Sequence, residues 1–417
     1  MAISRYWRGA FSYLGAIRLL NRNVRLLLLA TSLSSLAEGI FGVDLNLYVL
    51  SLGALPDALG NILSAGPFAH ALASIPVGFL GELFGFRKTF FAIYLLAGLS
   101  RLSQVASADV GIIALGAFAA GLALSGDFVV RLPFLAANSQ DAHRAHIFSL
   151  SSVLSSIFFA FGSLVAGYLP NVFSGFGADL ATSYRYTLYC AGLLLVVSSL
   201  PALLIRDGIR RPRNKLSLYP YLWGIDPFTV RVAIIELFVG LSMGLVSPFM
   251  NVFYLFRLGT SREFFSNVSA LALFPAMFAT VLAPYLAKRW GTLRTVSAVR
   301  LLIPVASLAM AATTNAYLGT AAYWLFRALF LMSQSVWFVF VMDTASPRNR
   351  TAASSWLEIS FWLGTGIAAQ VTGRFLAQAN YTLPFYASAL AALASGLLTY
   401  WSMRYHLRRR LPGAASS

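Results

Sequence analysis

Gly78-Phe79-Leu80-Gly81-Glu82-Leu83-Phe84-Gly85-Phe86-Arg87-Lys88 ends one long apolar run, turns at glycine and presents two cations before the next apolar run begins. A second copy stands 206 residues on, as Pro284-Tyr285-Leu286-Ala287-Lys288-Arg289-Trp290-Gly291-Thr292-Leu293-Arg294, with Leu80 matching Leu286 and Gly85 matching Gly291. The register holds without a gap far outside this stretch. Val24-Arg25 matches Val230-Arg231, Tyr48 matches Tyr254, Leu52-Gly53 matches Leu258-Gly259, and Arg144 matches Arg350. The chain is a tandem duplication.

Composition says what was duplicated. The chain is 58% hydrophobic and only 11% charged, too little polar residue to clothe a water-soluble globule. In lipid only helices or closed barrels satisfy the backbone. Apolar runs longer than the ~18–20 residues that cross a bilayer favour helices. The expected class is an all-α integral membrane protein with spans near 24–50, 58–84, 89–108, 110–137, 145–170 and 184–205, then 229–256, 263–288, 293–313, 316–342, 350–378 and 382–404. Residues 24–205 and 229–404 would form two six-helix bundles, joined by a charged linker at 206–228 and followed by a basic tail at 405–417. In residues 1–23, Trp7, Phe11, Leu14 and Ile17 recur at helical spacing among arginines. That pattern reads as an amphipathic segment on the membrane surface rather than a signal peptide. The single Cys190 excludes an internal disulfide.

A net charge of +17 would suggest nucleic acid as the partner of a soluble chain. Here the cations gather in alternate loops, which is a topology signal. The N-terminus, the linker, the tail and the loops around Arg87-Lys88, Arg144, Lys288-Arg289 and Arg348 share one side, and the other carries only Arg185, Arg257, Arg262 and Arg374. Both termini are therefore expected in the cytoplasm of a cell-membrane protein, with no nucleic-acid partner.

Ionisable residues within spans are costly and mark functional sites. Span 1 holds Glu38 and Asp44, span 4 Asp127 and Arg131, span 7 Glu236, and span 10 Arg327. At ~1.5 Å per residue, Glu38 lies roughly 21 Å and Arg327 roughly 23 Å from the inner ends of their helices, near the midplane. Asp127 and Arg131 share a helix face and can form a structural ion pair or a working one. Glu38 has no cation at i±3 or i±4, which makes it the leading proton carrier, with Asp127 second. Tyr323, Arg327, Phe330 and Gln334 form a polar-aromatic stripe, of which Arg327 and Gln334 are the recognition candidates. Glu358, Arg101 and Arg300 lie nearer helix ends, where long side chains can snorkel.

Twelve spans, a six-plus-six repeat and the loop residues Gly78, Glu82, Gly85, Arg87 and Lys88 resemble the major facilitator superfamily. Leu83 replaces the family's cation, Glu82 its aspartate, and Lys288 stands where the second copy's acid would be. The resemblance implies that Glu82, with the neighbouring cations, helps shut the cytoplasmic side; alternatively the loop only sets topology. It also implies that spans 1, 4, 7 and 10 line a central cavity. Asp44, Arg131, Glu236, Arg327 and Gln334 would then meet the substrate. Ser163 occupies a proline position of the antiporter glycine motif in span 5, and Ala117 the place of the span 4 arginine. Gly162, Gly167, Gly364, Gly366 and Gly373 then serve close helix packing.

The expected function is secondary active transport of a small organic molecule by alternating access, proton-coupled and leaning toward export. The alternative is an organic-anion or sugar-phosphate carrier clamped by Arg131 and Arg327. A receptor or membrane enzyme is disfavoured: there is no soluble output domain, and His70 has no acid near it in sequence. No glycine loop ending in Lys-Ser/Thr points to ATP. Neither cofactor nor metal is expected, and the protein should act as a monomer.

The topology is testable by labelling. On a Cys190→Ser background, Asn171→Cys and Asn214→Cys should react with an impermeant thiol reagent from opposite sides of the membrane. Labelling of Asn214→Cys in intact cells overturns the orientation.

Overall fold

The computed structural model describes residues 20–74, 76, 83–140, 144–206, 225–346 and 349–410. Gly78 and Glu82, residues 1–19, most of the linker and the end of the tail lie outside the described residues. The first half contains α1 (Arg22–Ser51), α2 (Pro56–Ala73), α3 (Phe86–Ala106), α4 (Val110–Ala137), α5 (Arg144–Gly175) and α6 (Leu180–Leu203). The second contains α7 (Pro227–Arg257), α8 (Arg262–Trp290), α9 (Thr292–Ala312), α10 (Ala316–Thr344), α11 (Arg350–Ala377) and α12 (Leu383–Arg410).

Among the described residues, ten of these helices are long and apolar enough to cross a membrane. The other two, α2 and α11, pack on each other between the halves. Surface that meets protein does not have to dissolve in lipid, so α11 can carry Ser354, Glu358, Thr365, Gln370 and Thr372 along its length.

The duplication is visible in the backbone. The starts of α2 and α8, α3 and α9, α4 and α10, and α5 and α11 all stand 206 residues apart. Asp109 and Asn315 cap α4 and α10 alike, accepting from the amides of Ile112 and Leu318 at 3.0 and 3.1 Å. Each cap satisfies a first-turn N–H that has no partner inside the helix. Gly85 and Gly291 turn the chain into α3 and α9 at φ 83° and 85°, a left-handed conformation costly to any residue with a Cβ. The Thr89 and Thr295 hydroxyls then donate back to the carbonyls of those glycines at 2.8 and 3.0 Å. At the start of α7, burial works against ionising Asp226. The Thr229 amide and hydroxyl, with the Asn349 amide, nevertheless hold its carboxyl below the ordinary range.

Close backbone approach builds each half. A methyl group on Gly162 of α5 would run into the Leu36 carbonyl of α1, and one on Gly364 of α11 into the Leu237 carbonyl of α7. Inside a bilayer such packing replaces the hydrophobic effect as the force between helices. One helix departs from regularity: α7 tightens into a 3-10 turn at Ser247–Phe249 and widens into a π turn at Phe253–Arg257. Pro248 lacks the N–H that a regular helix needs, which accounts for the first distortion.

Candidate functional site

The charged residues divide into those satisfied within their own half and those that are not. Glu38 on α1 accepts two hydrogen bonds from Arg101 on α3, at 3.0 and 2.6 Å. Arg101 also donates to Gln104 at 2.9 Å and lies over the Phe41 ring at 4.7 Å. The second half repeats the design. Arg300 on α9 donates to Glu236 on α7 at 2.7 Å and to Thr399 on α12 at 3.0 Å, and stacks over Trp337 at 4.6 Å. Gln334 bridges both members of that pair, at 3.3 and 3.4 Å. On α4, Asp127 accepts from the Tyr94 hydroxyl at 2.6 Å and stands 3.8 Å from Arg131, which donates to Ser155 at 3.2 Å.

These contacts correct two sequence readings. Glu38 is not without a cation, because Arg101 reaches it from a different helix. Arg101 and Arg300 do not snorkel to a helix end but turn inward to carboxylates. Asp127 and Arg131 do stand together, as their spacing on one helix face suggests. An acid on the first helix and an arginine on the third helix of each half, 63 and 64 residues apart, was the signal that could have found both pairs.

Between the halves lies a cavity of about 600 Å³. Helices α1, α2, α5, α7, α8, α10 and α11 supply its wall, and α4 supplies none of it among the described residues. The lining is apolar and aromatic, with Phe159, Phe265, Tyr323, Phe361 and Trp362, relieved by six serines and Thr365. Arg327 is the charged side chain in that wall, and its Nε is buried with no hydrogen-bond partner among the described residues. Asp44, Arg131, Glu236 and Gln334, expected in the cavity, lie outside its lining. Trp362 donates to Glu358 at 3.1 Å and stacks on His70 of α2 at 4.2 Å, a cross-half contact that sequence spacing could not reveal.

Among the described residues, hydrogen bonds join the halves at the end away from the start of α1 and the end of α12. Asn46 donates to the Pro248 carbonyl at 2.6 Å and to Asn251 at 2.8 Å, and Asn251 returns a bond to the Val43 carbonyl at 2.7 Å. The distorted part of α7 thus meets α1. Arg262 on α8 reaches the Gly167 carbonyl at 3.1 Å, and Asn171 donates to Glu263 at 2.8 Å, fastening α5 to α8. Gln370 on α11 donates to Asn61 on α2 at 3.2 Å. Nearby, Gly60 and Gly373 bring the two backbones together with no room for a side chain. Asp44 sits in this seam with no exposed surface and no partner for either carboxylate oxygen among the described residues. Arg262 is near enough to act on it electrostatically. Of the loop residues, Gly85, Arg87 and Lys88 are described and Lys88 is exposed.

The buried pair gives a sharp test. Arg300→Met leaves the Glu236 carboxylate uncompensated where neither partner has exposed surface, at a cost of about 3–5 kcal/mol. The purified variant should melt well below the wild type, and adding Glu236→Leu should restore part of the loss. Arg101→Met should cost less, because the Glu38 side chain keeps 24% of its surface exposed.

No curated protein sequence matches the chain at a significant level. Solved structures do. A bacterial homologue of the human lysosomal transporter Spinster, inward-facing and unoccupied, aligns with a TM-score of 0.73 at 14% identity, covering 92% of this chain and 97% of that one. The nucleoside transporter NupG aligns at 0.73 and 14% identity over 93% and 99%. A D-xylose–proton symporter aligns at 0.70 and 14% identity over 91% and 97%. At such identities the likeness shows the fold alone. The sequence profile described as Major Facilitator Superfamily matches residues 27–220 and 232–416, nearly the whole chain in two parts. The chain is a multi-pass membrane protein that belongs to the Major Facilitator Superfamily.

Proposed function

We propose that this protein is a secondary transporter that moves a small, partly apolar organic acid by alternating access, with a proton as the coupling ion. Its observational support is Arg327, the charged side chain facing a cavity otherwise made of aromatic, aliphatic and hydroxyl groups. A guanidinium offers a planar fork of donors that matches a carboxylate or phosphate. The surrounding rings suit the apolar body of the solute, and the serines its remaining polar atoms. Arg131, the other half of the anion clamp expected from sequence, is drawn toward Asp127 and Ser155 and does not enter this reading. With the termini in the cytoplasm, bonds gathered at the far end correspond to a conformation shut toward the outside. The direction of net flow then follows the gradients of solute and proton.

For the proton, Asp44 replaces Glu38. A carboxylate buried without a partner is expensive, so the outer seam closes more readily over Asp44 carrying its proton than over the anion. Opening the seam admits water and lets the proton leave. That links the proton to the direction the cavity faces, which is what coupling requires.

Two experiments test this reading. A panel of small carboxylates and phosphate esters, each beside its neutral amide or methyl ester, should stabilise the purified protein against heating more than the neutral partners do. Arg327→Gln should cost about 1.5–3 kcal/mol of binding, roughly ten- to a hundredfold in affinity. Equal response to acids and neutral analogues overturns the substrate class. In proteoliposomes, Asp44→Asn should keep solute exchange at equilibrium and lose accumulation driven by a pH gradient. If Glu38→Gln shows that phenotype and Asp44→Asn does not, the proton belongs to Glu38.

A further inference from the structure

A second cavity of about 800 Å³ lies in the first half, away from the central one. It is a groove between α2 and α3. Those two helices are consecutive in sequence, and each packs on α4. Leu72 and Ala73 of α2 form one wall, and Ala92, Leu96 and Ser100 of α3 the other, along one helical stripe that begins at Lys88. The floor is Ala119, Leu122 and Ala123 of α4. Leu72 and Leu96 are 67% and 55% exposed, so the groove faces the lipid side of the bundle.

The duplication supplies an internal control. At the offset of 206, Ala119 and Ala123 become Leu325 and Leu329, and Leu72 becomes Phe278. Two of the three floor residues and one wall residue are therefore larger in the second half, while Leu122 becomes the smaller Ala328. The cation is kept, because Lys88 corresponds to Arg294, and both are exposed. The first half therefore combines a cation with an apolar groove, and the second keeps the cation beside a floor of different side chains.

We propose that this groove holds one anionic phospholipid, its acyl chain between α2 and α3 and its headgroup phosphate on Lys88. The volume falls in the ~300–1,000 Å³ range of small-molecule sites. Lys88 stands at the membrane-surface end of the stripe, where a headgroup lies, while the rest of the lining is almost wholly apolar. An acyl chain gains no hydrophobic free energy by leaving other lipid, so retention rests on charge and fit. Electrostatics favours an anionic headgroup beside a lysine at the interface. The reading is independent of the transported solute.

The test uses the full-length protein purified in detergent and supplied with either phosphatidylglycerol or phosphatidylcholine carrying the same chains. Native mass spectrometry should show one retained phosphatidylglycerol per wild-type chain, and that lipid should raise the melting temperature more than phosphatidylcholine does. Lys88→Gln should abolish the preference, while Arg294→Gln, its counterpart in the second half, should leave it intact. Ala119→Leu with Ala123→Leu, which copies the second half, should lose the retained lipid. Equal response of the wild type to both lipids overturns the proposal. So does equal loss in Lys88→Gln and Arg294→Gln, which would mean general surface attraction. Retention of phosphatidylglycerol by the double leucine variant removes the groove as the site. Because Lys88 is exposed, its variant reads out even if the leucine variant fails to fold.

Discussion

A charge inside a low-dielectric protein must find an opposite charge or a set of hydrogen bonds, and this requirement organises the molecule. Each half meets it internally, with an acid on its first helix and an arginine on its third: Glu38 with Arg101, and Glu236 with Arg300. Neither pair crosses the boundary between halves. Each bundle can therefore move as a unit without breaking an ion pair of this kind, and the rotation that the proposed alternating access demands would leave these pairs untouched.

What crosses the boundary is of another sort. Amides, backbone carbonyls and glycine contacts join α1 to α7 and α2 to α11, and single hydrogen bonds made by Arg262 and Glu263 join α8 to α5. Such bonds exchange with water at small net cost. A seam built from them can open and close, whereas a seam of buried ion pairs would resist opening. Arg327 in the cavity and Asp44 in the seam lie on surfaces that a movement between halves would alter.

Much of the fold was legible in the sequence. The offset of 206 reappears in helix starts, caps and left-handed glycines, because duplicated residues keep the same local backbone chemistry. Among the described residues composition picks out ten helices and passes over α11, which carries polar side chains along its length and packs on α2. The site was less legible. Spacing along one helix reveals an i, i+4 pair such as Asp127 and Arg131, but it says nothing about Arg101 arriving at Glu38 from another helix. Arg327 was found because it is a cation at mid-membrane depth. Asp44 was read as a cavity residue because depth does not tell the seam from the cavity.

The reciprocal bond between Asn46 and Asn251 has an electrical consequence. Both groups are neutral at every pH a cell experiences, so separating them moves no net charge across the membrane field. A transmembrane voltage does work of about 2.3 kcal/mol per elementary charge for each 100 mV. The work done in parting these two amides is therefore close to zero. Membrane potential would act on the seam through its charged groups, Arg262, Glu263 and an ionised Asp44, and not through the amides that close the door.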